Sequence, residues 1–258
     1  MLILSTHNKY NKMNIIIIGA TSGIGKEIAG IYIDQGHKVG LTGRRKALLE
    51  EIKGDNENIH ISTYDVNAED APVHLMELIE QMGGVERVIY SSGYGKSNPE
   101  LDLEKELHTA DVNVKGFMRH ATTLFNYWNN NNLQGHMTVI SSIAGIRSLG
   151  IAPSYSATKN YQSFYFEALR QLASMKKAKI SFTAIKPGFV ATDFIAGKNY
   201  PFTLNKEIVA RKIVKAVDRK RKNYVIYGIW RPIALLMRII PPFLWRGAIG
   251  RLIGRSDN

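Results

Sequence analysis

Cysteine is absent from the 258 residues, so neither a disulfide framework nor a thiolate metal site can form. The seven histidines include no pair at the i, i+4 spacing that places two imidazoles on one helix face, so no metal centre is expected. Long apolar runs are missing too. The opening MLILSTHNKYNK has four apolar residues before it turns polar, too few for the core of a secretory signal. That points to a reducing, cytoplasmic setting. Met13 stands directly before the first apolar run, and residues 1–13 read as an N-terminal extension. Acidic residues are scarce in the last fifth of the chain. From Lys206 to Asn258, thirteen lysines and arginines face only Glu207, Asp218 and Asp257, so most of the +12 net charge sits there and suggests a local anionic partner.

What is present is enough apolar residue, 45%, to bury a sizeable core in one large domain. Apolar strand-like runs alternate with helical stretches. Asn14–Gly19, His37–Gly43, Ile59–Val66, Glu86–Gly95, Thr138–Ile140, Lys179–Phe189 and Lys222–Gly228 read as strands, and Ala68–Met82 and Leu101–Trp128 as helices. This alternation predicts an α/β fold with a parallel, doubly wound sheet between two helical layers.

The first strand runs into Gly19-Ala20-Thr21-Ser22-Gly23-Ile24-Gly25 and then a helix. Strand, glycine turn and helix make a phosphate cradle, because glycines let a pyrophosphate approach backbone N–H groups at the positive end of a helix dipole. The second strand ends at Gly43-Arg44-Arg45. An acidic residue there would bind a ribose 2′-hydroxyl, whereas Arg44 offers a fork for a 2′-phosphate, which favours NADP over NAD. Asp65 and Val66 end the third strand beside the expected adenine pocket, and the fourth closes on Ser92-Gly93 beneath the nucleotide.

The chemistry is expected between Thr138 and Lys159. Ser141-Ser142 ends a strand, a loop broken by Gly145, Gly150 and Pro153 follows, and a helix then carries Tyr155 and Lys159. Four residues apart, phenol and ammonium share one helix face, and the cation is expected to lower the Tyr155 pKa towards the neutral range. Ser142, thirteen residues before Tyr155, can be folded back onto the phenol. Asn113 and Gly116 weaken the long helix near its middle, where a kink would free a backbone carbonyl to hold a water.

Together GATSGIG at 19–25, Asp65, Asn113, Ser142, the YSATK stretch with Tyr155 and Lys159, and Pro187-Gly188 followed by Thr192 resemble the short-chain dehydrogenase/reductase family. The resemblance covers residues 14–226. It implies a Rossmann-type fold, a nicotinamide cofactor and hydride exchange with a ketone or secondary alcohol. It implies Tyr155 as acid/base, Lys159 as its modulator and ribose ligand, Ser142 as the group orienting the carbonyl, and Asn113 as support for a water-linked proton relay. Pro187, Gly188 and Thr192 join the cofactor contacts, and a homodimer or tetramer is implied, with Phe164 or Tyr165 at the contact. Two places depart from the family. Ile18 replaces the usual threonine, and Tyr90-Ser91-Ser92-Gly93 stands where Asn-Asn-Ala-Gly is common, so support of the adenosine pocket must differ.

Residues 227–258 form a basic, amphipathic extension. Arg231, Arg238, Arg246, Arg251 and the Pro241-Pro242 break prevent a transmembrane span. Two short amphipathic helices fit better, with Trp230 and Trp245 suited to an interface, so the segment is expected either on an anionic bilayer or packed on the domain or a second subunit. A lipidic carbonyl substrate follows from the first. Nucleic acid is not expected, because aliphatic rather than stacking residues interleave the charges. A non-catalytic NADP-binding regulator and the reductase half of a two-enzyme epimerisation are the alternatives.

Overall fold

The computed structural model describes residues 12–192, 200, 202–226 and 228–246. Isoleucines in the first strand, β1 (Asn14–Ile18), show how the core is built. Successive side chains leave a strand on opposite faces, so Ile16 and Ile18 enter one hydrophobic layer while Ile15 and Ile17 enter the other, and all four are fully buried. A strand covered on both faces belongs in the middle of a parallel sheet.

The elements follow in alternation: α1 (Gly23–Asp34), β2 (Lys38–Gly43), α2 (Lys46–Lys53), β3 (Ile59–Thr63), α3 (Ala71–Gln81), β4 (Arg87–Tyr90) and α4 (Leu103–Ala110). A π-helical turn (Asp111–Gly116) leads into α5 (Phe117–Asn130), followed by β5 (Gly135–Ile140), a 3₁₀ turn (Ile143–Gly145), α6 (Pro153–Met175) and β6 (Ile180–Lys186). The chain continues through α7 (Lys206–Asp218), β7 (Asn223–Val225) and α8 (Trp230–Ile239). The seven strands are ordered β3-β2-β1-β4-β5-β6-β7 and all pair in parallel. The order reverses between β1 and β4, which opens a crevice at the carboxyl ends of the strands where ligands bind in such sheets.

One layer contains α3, α5 and α6 and is centred on Phe117, Trp128, Phe166 and Phe182; the other contains α1 and α7 against Ile17, Leu41 and Ile185. A buried arginine links the two ends of the sheet's chain path. Arg87 of β4 donates to the Tyr32 hydroxyl at 3.0 Å and to Asp218 at 2.7 Å, tying α1 and α7 together.

The expected helix over 101–128 starts at Leu103 and is interrupted by the π turn. Gly116 explains where the interruption ends, since a Cβ there would stand 2.9 Å from the Val66 carbonyl oxygen. The widened turn leaves carbonyls that ordinary α-helix bonding would use, and side chains take them. Tyr90 Oη donates to Val112 O at 3.3 Å, Gln162 Nε2 to Asn113 O at 3.0 Å, and His120 Nδ1 to Gly116 O at 2.7 Å. This assigns the His120 proton to Nδ1 and leaves Nε2 to accept from the Tyr64 hydroxyl at 3.1 Å. Burial holds that imidazole neutral, with its pKa lowered to about 4.

The strand expected from Thr138 begins earlier, at Gly135, where the Trp128 ring packs against the backbone and Trp128 Nε1 donates to Val85 O at 2.8 Å. A Cβ on Gly135 would stand 2.0 Å from the ring. Gly135→Ala is therefore expected to lower stability by about 1–3 kcal/mol. Gly30→Ala, inside α1 with nothing within 4 Å of the added carbon, should raise it by up to about 1 kcal/mol. Urea midpoints of the two variants against the parent check both signs.

Candidate active site

The carboxyl ends of β1, β2, β4, β5 and β6 bring the expected residues to one crevice. Gly19 and Gly23 take positive φ, +87° and +56°, and a Cβ on Gly25 would stand 2.1 Å from the Gly19 carbonyl oxygen. Glycine is thus required for the turn to fold onto itself. The first turn of α1 has no acidic residue, and the side chain of its N-cap, Ser22, makes no capping bond. Its first N–H groups, from Gly23, Ile24 and Gly25, are left for an anion in the favourable field of the helix dipole. Thr192 stands across the turn, its Cγ2 3.4 Å from where a Gly23 Cβ would lie. The observed cradle fits the pyrophosphate of a dinucleotide.

Two arginines meet at the end of β2. Arg44 is exposed and pairs with Asp65 at 3.4 Å, while Asp65 Oδ1 also accepts from the Asn67 N–H at 2.9 Å. Arg45 is drawn onto the glycine turn, donating through Nη2 to Thr21 Oγ1 at 2.6 Å and to Ser22 Oγ at 2.7 Å. Sequence reasoning chose Arg44; the structure adds Arg45, adjacent to it and with nothing in the spacing to separate the two. Val66 is buried beside the π turn, and Ser92 lies against Gly19, where a Cβ would meet the Ser92 nitrogen at 2.8 Å.

Ser142 caps the 3₁₀ turn, its Oγ accepting from the Ala144 N–H at 3.1 Å. That leaves its O–H to hydrogen-bond the Tyr155 phenol, a contact that favours the phenolate. The opposite effect is larger. Burial raises the Tyr155 pKa above its ordinary value, because Gly95 passes so near the ring that a Cβ there would lie 2.1 Å from Cδ2. The expected lowering by Lys159 is therefore corrected in the cofactor-free protein. Lys159 Nζ is 5.9 Å from the Tyr155 ring centroid, and desolvation lowers the pKa of the amine itself to about 7. A group that readily loses its charge is a weak source of field for its neighbour.

Lys159 Nζ donates to Ile140 O at 2.9 Å and to Gln162 Oε1 at 3.2 Å. A Cβ on Gly93 would come within 3.1 Å of this amine. Asn113 is fully buried rather than surface-facing. Its Oδ1 accepts from Tyr94 N at 2.9 Å, and its Nδ2 donates to Tyr94 O at 2.6 Å and Thr158 Oγ1 at 3.0 Å. Asn113 thus staples the loop after β4 to α6. The Asn113 carbonyl accepts from Gln162 Nε2 at 3.0 Å, one of the two hydrogen bonds that a carbonyl oxygen can accept. Gln162 escaped the sequence reading, although its position one turn beyond Lys159 on the same helix face was an available signal.

The loop after β6 supplies Pro187, whose carbonyl accepts from Ile143 N at 3.0 Å, and Gly188, covered by the Trp230 indole so closely that a Cβ would stand 2.2 Å from the ring. Phe189, Tyr200 and Phe202 continue this aromatic wall with Trp230. The sequence marks 189–205, beyond Pro187-Gly188, as the substrate loop, and residues 193–199 and 201 of it lie outside the described residues.

Residues 13–200 match the model of the short chain dehydrogenase family. The chain belongs to that family. It is an oxidoreductase of the class that uses a nicotinamide cofactor. Among its relatives, an uncharacterized oxidoreductase of Mycobacterium tuberculosis is 27% identical over 249 residues, covering 91% of this chain and 96% of that protein. Dehydrogenase/reductase SDR family member 7B of Xenopus laevis is 26% identical, covering 90% and 79%. Among solved structures, a 3-ketoacyl-(acyl-carrier-protein) reductase from Brucella melitensis complexed with NADH has a TM-score of 0.73 at 21% identity, covering 83% of this chain and 95% of that one. A short chain dehydrogenase from Bacillus anthracis has a TM-score of 0.75 at 19% identity, covering 84% and 95%. These two likenesses establish the shared fold.

The Lys159 titration carries a stability consequence. An unfolded chain holds this proton to about 10.5, whereas the folded, cofactor-free protein releases it near 7. Between those values the unfolded state binds more protons, so this group makes stability rise with pH. Lys159→Met should accordingly be more stable than the parent at pH 6.5, with the advantage shrinking towards pH 10. Thermal melts without nucleotide measure it; a constant offset across that range would refute the titration.

Proposed function

We propose that the chain reduces a hydrophobic or lipid-linked ketone with NADPH, using Tyr155 as the proton donor and Ser142 to hold the carbonyl oxygen. The observation that carries this reading is the hydrogen bond from Ser142 to the Tyr155 phenol, which brings two hydroxyls to one point; a carbonyl oxygen bound there would accept from both once the Ser142 proton turns to it from the phenol. As that oxygen gains negative charge, both donors strengthen their bonds to it, and positioned donors of this kind lower the barrier. The raised Tyr155 pKa suits the donor role, because the phenol keeps its proton until the alkoxide forms. The bound nicotinamide supplies the hydride. Gly19, Thr21, Ser22, Gly23, Ile24 and Gly25 hold its pyrophosphate, Asp65, Val66, Ser92 and Gly93 border the adenosine half, and Lys159, Pro187, Gly188 and Thr192 border the nicotinamide half. Arg44 and Arg45 together provide the fork for a 2′-phosphate.

The hydrophobic substrate is supported by the Phe189, Phe202 and Trp230 wall. It is supported further by the tail, whose Leu235, Leu236, Ile239, Phe243 and Leu244 face solvent among Arg231, Arg238 and Arg246. With Lys212, Lys215, Arg219 and Arg221 nearby on the α7 side, apolar and cationic groups share one region, the composition that binds an anionic leaflet from its surface. Among the described residues no helix is long and apolar enough to cross a membrane. The chain is read as a homo-oligomer through α6, where Phe164 is 71% exposed and Tyr161 and Tyr165 stack at 5.4 Å.

Purified protein is expected to oxidise NADPH with long-chain ketones faster than with small soluble ones, and Tyr155→Phe should abolish this turnover. Arg45→Ala should weaken NADPH affinity by roughly 10- to 100-fold while leaving NADH almost unchanged, in line with the loss of a charge-assisted phosphate contact. Equal turnover by Tyr155→Phe would defeat the mechanism, and equal loss for both cofactors would defeat the 2′-phosphate assignment. Co-sedimentation with phosphatidylglycerol vesicles but not phosphatidylcholine vesicles, lost in a Leu235→Glu/Ile239→Glu variant, tests the surface.

A further inference from the structure

Gln162 lies one turn beyond Lys159 in α6, and none of it reaches solvent. A buried carboxamide must satisfy both ends, and this one does so with two groups of the reaction centre. Its oxygen accepts from Lys159 Nζ at 3.2 Å, and its nitrogen donates to the Asn113 carbonyl at 3.0 Å. Those partners fix which end is which, since an ammonium offers only donors and a carbonyl only an acceptor. The Asn113 carbonyl is open to a side chain because it lies in the π turn, and the turn is held there by Gly116 and by the Asn113 bonds to Tyr94 and Thr158.

A water linking the amine to this carbonyl would make the same two bonds. The chemistry would differ. Water accepts one proton while releasing another; a neutral carboxamide orients its partners but does not hand on a proton near neutral pH. The other oxygen on the amine belongs to Ile140 of β5, Gly93 of the loop after β4 approaches it closely, and the titratable group facing it is the Tyr155 ring, 5.9 Å away. The inference rests on the proposed reading of the site, in which Lys159 serves Tyr155.

We propose that Gln162 is a positioning residue, which ties the Lys159 amine to the Asn113 carbonyl and aims that amine through a fixed amide. Two consequences follow. The charge on Lys159 is stabilised by the Gln162 carbonyl dipole, so altering the amide alters the titration of the amine. The Asn113 carbonyl serves as the anchor for this tether.

The test uses cofactor-free protein labelled with ¹³C at lysine Cε, with the Lys159 signal identified by its loss in Lys159→Met. Gln162→Met keeps the length but removes both bonds, and Gln162→Glu keeps the shape and sets a carboxylate beside the amine. The Lys159 midpoint is expected to fall in Gln162→Met and to rise by at least one pH unit in Gln162→Glu. In the NADPH assay, Gln162→Met should lose at least tenfold in kcat with KM for the ketone within twofold. Identical midpoints in the folded variants would overturn the proposal and reduce Gln162 to core packing. Should Gln162→Met fail to fold, the Gln162→Glu midpoint decides alone. Absence of turnover in the parent would sink the reductase reading instead, and the titration would still report on the tether.

Discussion

An amine taken out of water needs oxygen acceptors, and the burial of Lys159 draws on β5 and α6 for them while neighbouring segments close around the residue. β5 ends with the Ile140 carbonyl directed at Nζ, α6 contributes Gln162, and the loop after β4 comes close enough to require glycine at position 93. The 3₁₀ turn after β5 approaches the helix backbone at Lys159 so nearly that a Cβ on Gly145 would stand 2.6 Å from its carbonyl carbon. Ser141 completes the enclosure by donating to the Lys159 carbonyl at 2.7 Å. Desolvation weakens the charge of this amine, and the Ile140 and Gln162 oxygens that accept from it limit the cost. The catalytic geometry and the local packing are one arrangement.

The same enclosure explains how the reacting tyrosine is set. Tyr155 lies against the Gly95 backbone on one side and receives Ser142 at its hydroxyl, so its position follows from β4 and β5 together. Asn113 makes this possible at a distance. By bonding both the N–H and the carbonyl of Tyr94, it fixes the loop that covers the tyrosine ring, and the π turn holds Asn113 in register with that loop. A single extra residue in the helical turn, accommodated where Gly116 meets Val66, thus connects the loop after β3 to the Tyr155 and Lys159 site.

Much of this was legible in the residues. The double burial of β1 followed from an unbroken isoleucine run, the phosphate turn from glycines between a strand and a helix, and the Ser142 contact from a loop of sufficient length before Tyr155. The interruption after Leu103 was foreshadowed by Asn113 and Gly116. Its partners were not, because Gln162 and Tyr90 reach the freed carbonyls only after α6 and β4 pack against the turn. The direction of the Tyr155 pKa was misjudged for a related reason. Helical spacing shows that two groups are neighbours, but burial depends on what crosses above them, here Gly95. Arg45 and Trp230 were likewise tertiary facts. One is distinguished from Arg44 only by its rotamer, and the other comes from α8 to cover a turn some forty residues earlier.

α8 and the residues after it are fastened to the loops that follow β5 and β6. Trp230 covers Gly188, while Arg147 donates to the Ile240 carbonyl at 2.9 Å and Trp245 donates to the Ser148 carbonyl at 2.8 Å. Ser148 lies in the short loop that joins Ser142 to Tyr155. Whatever draws on α8 and the residues after it, whether a surface, a neighbouring subunit or a fused affinity tag, therefore pulls on the loop between Ser142 and Tyr155.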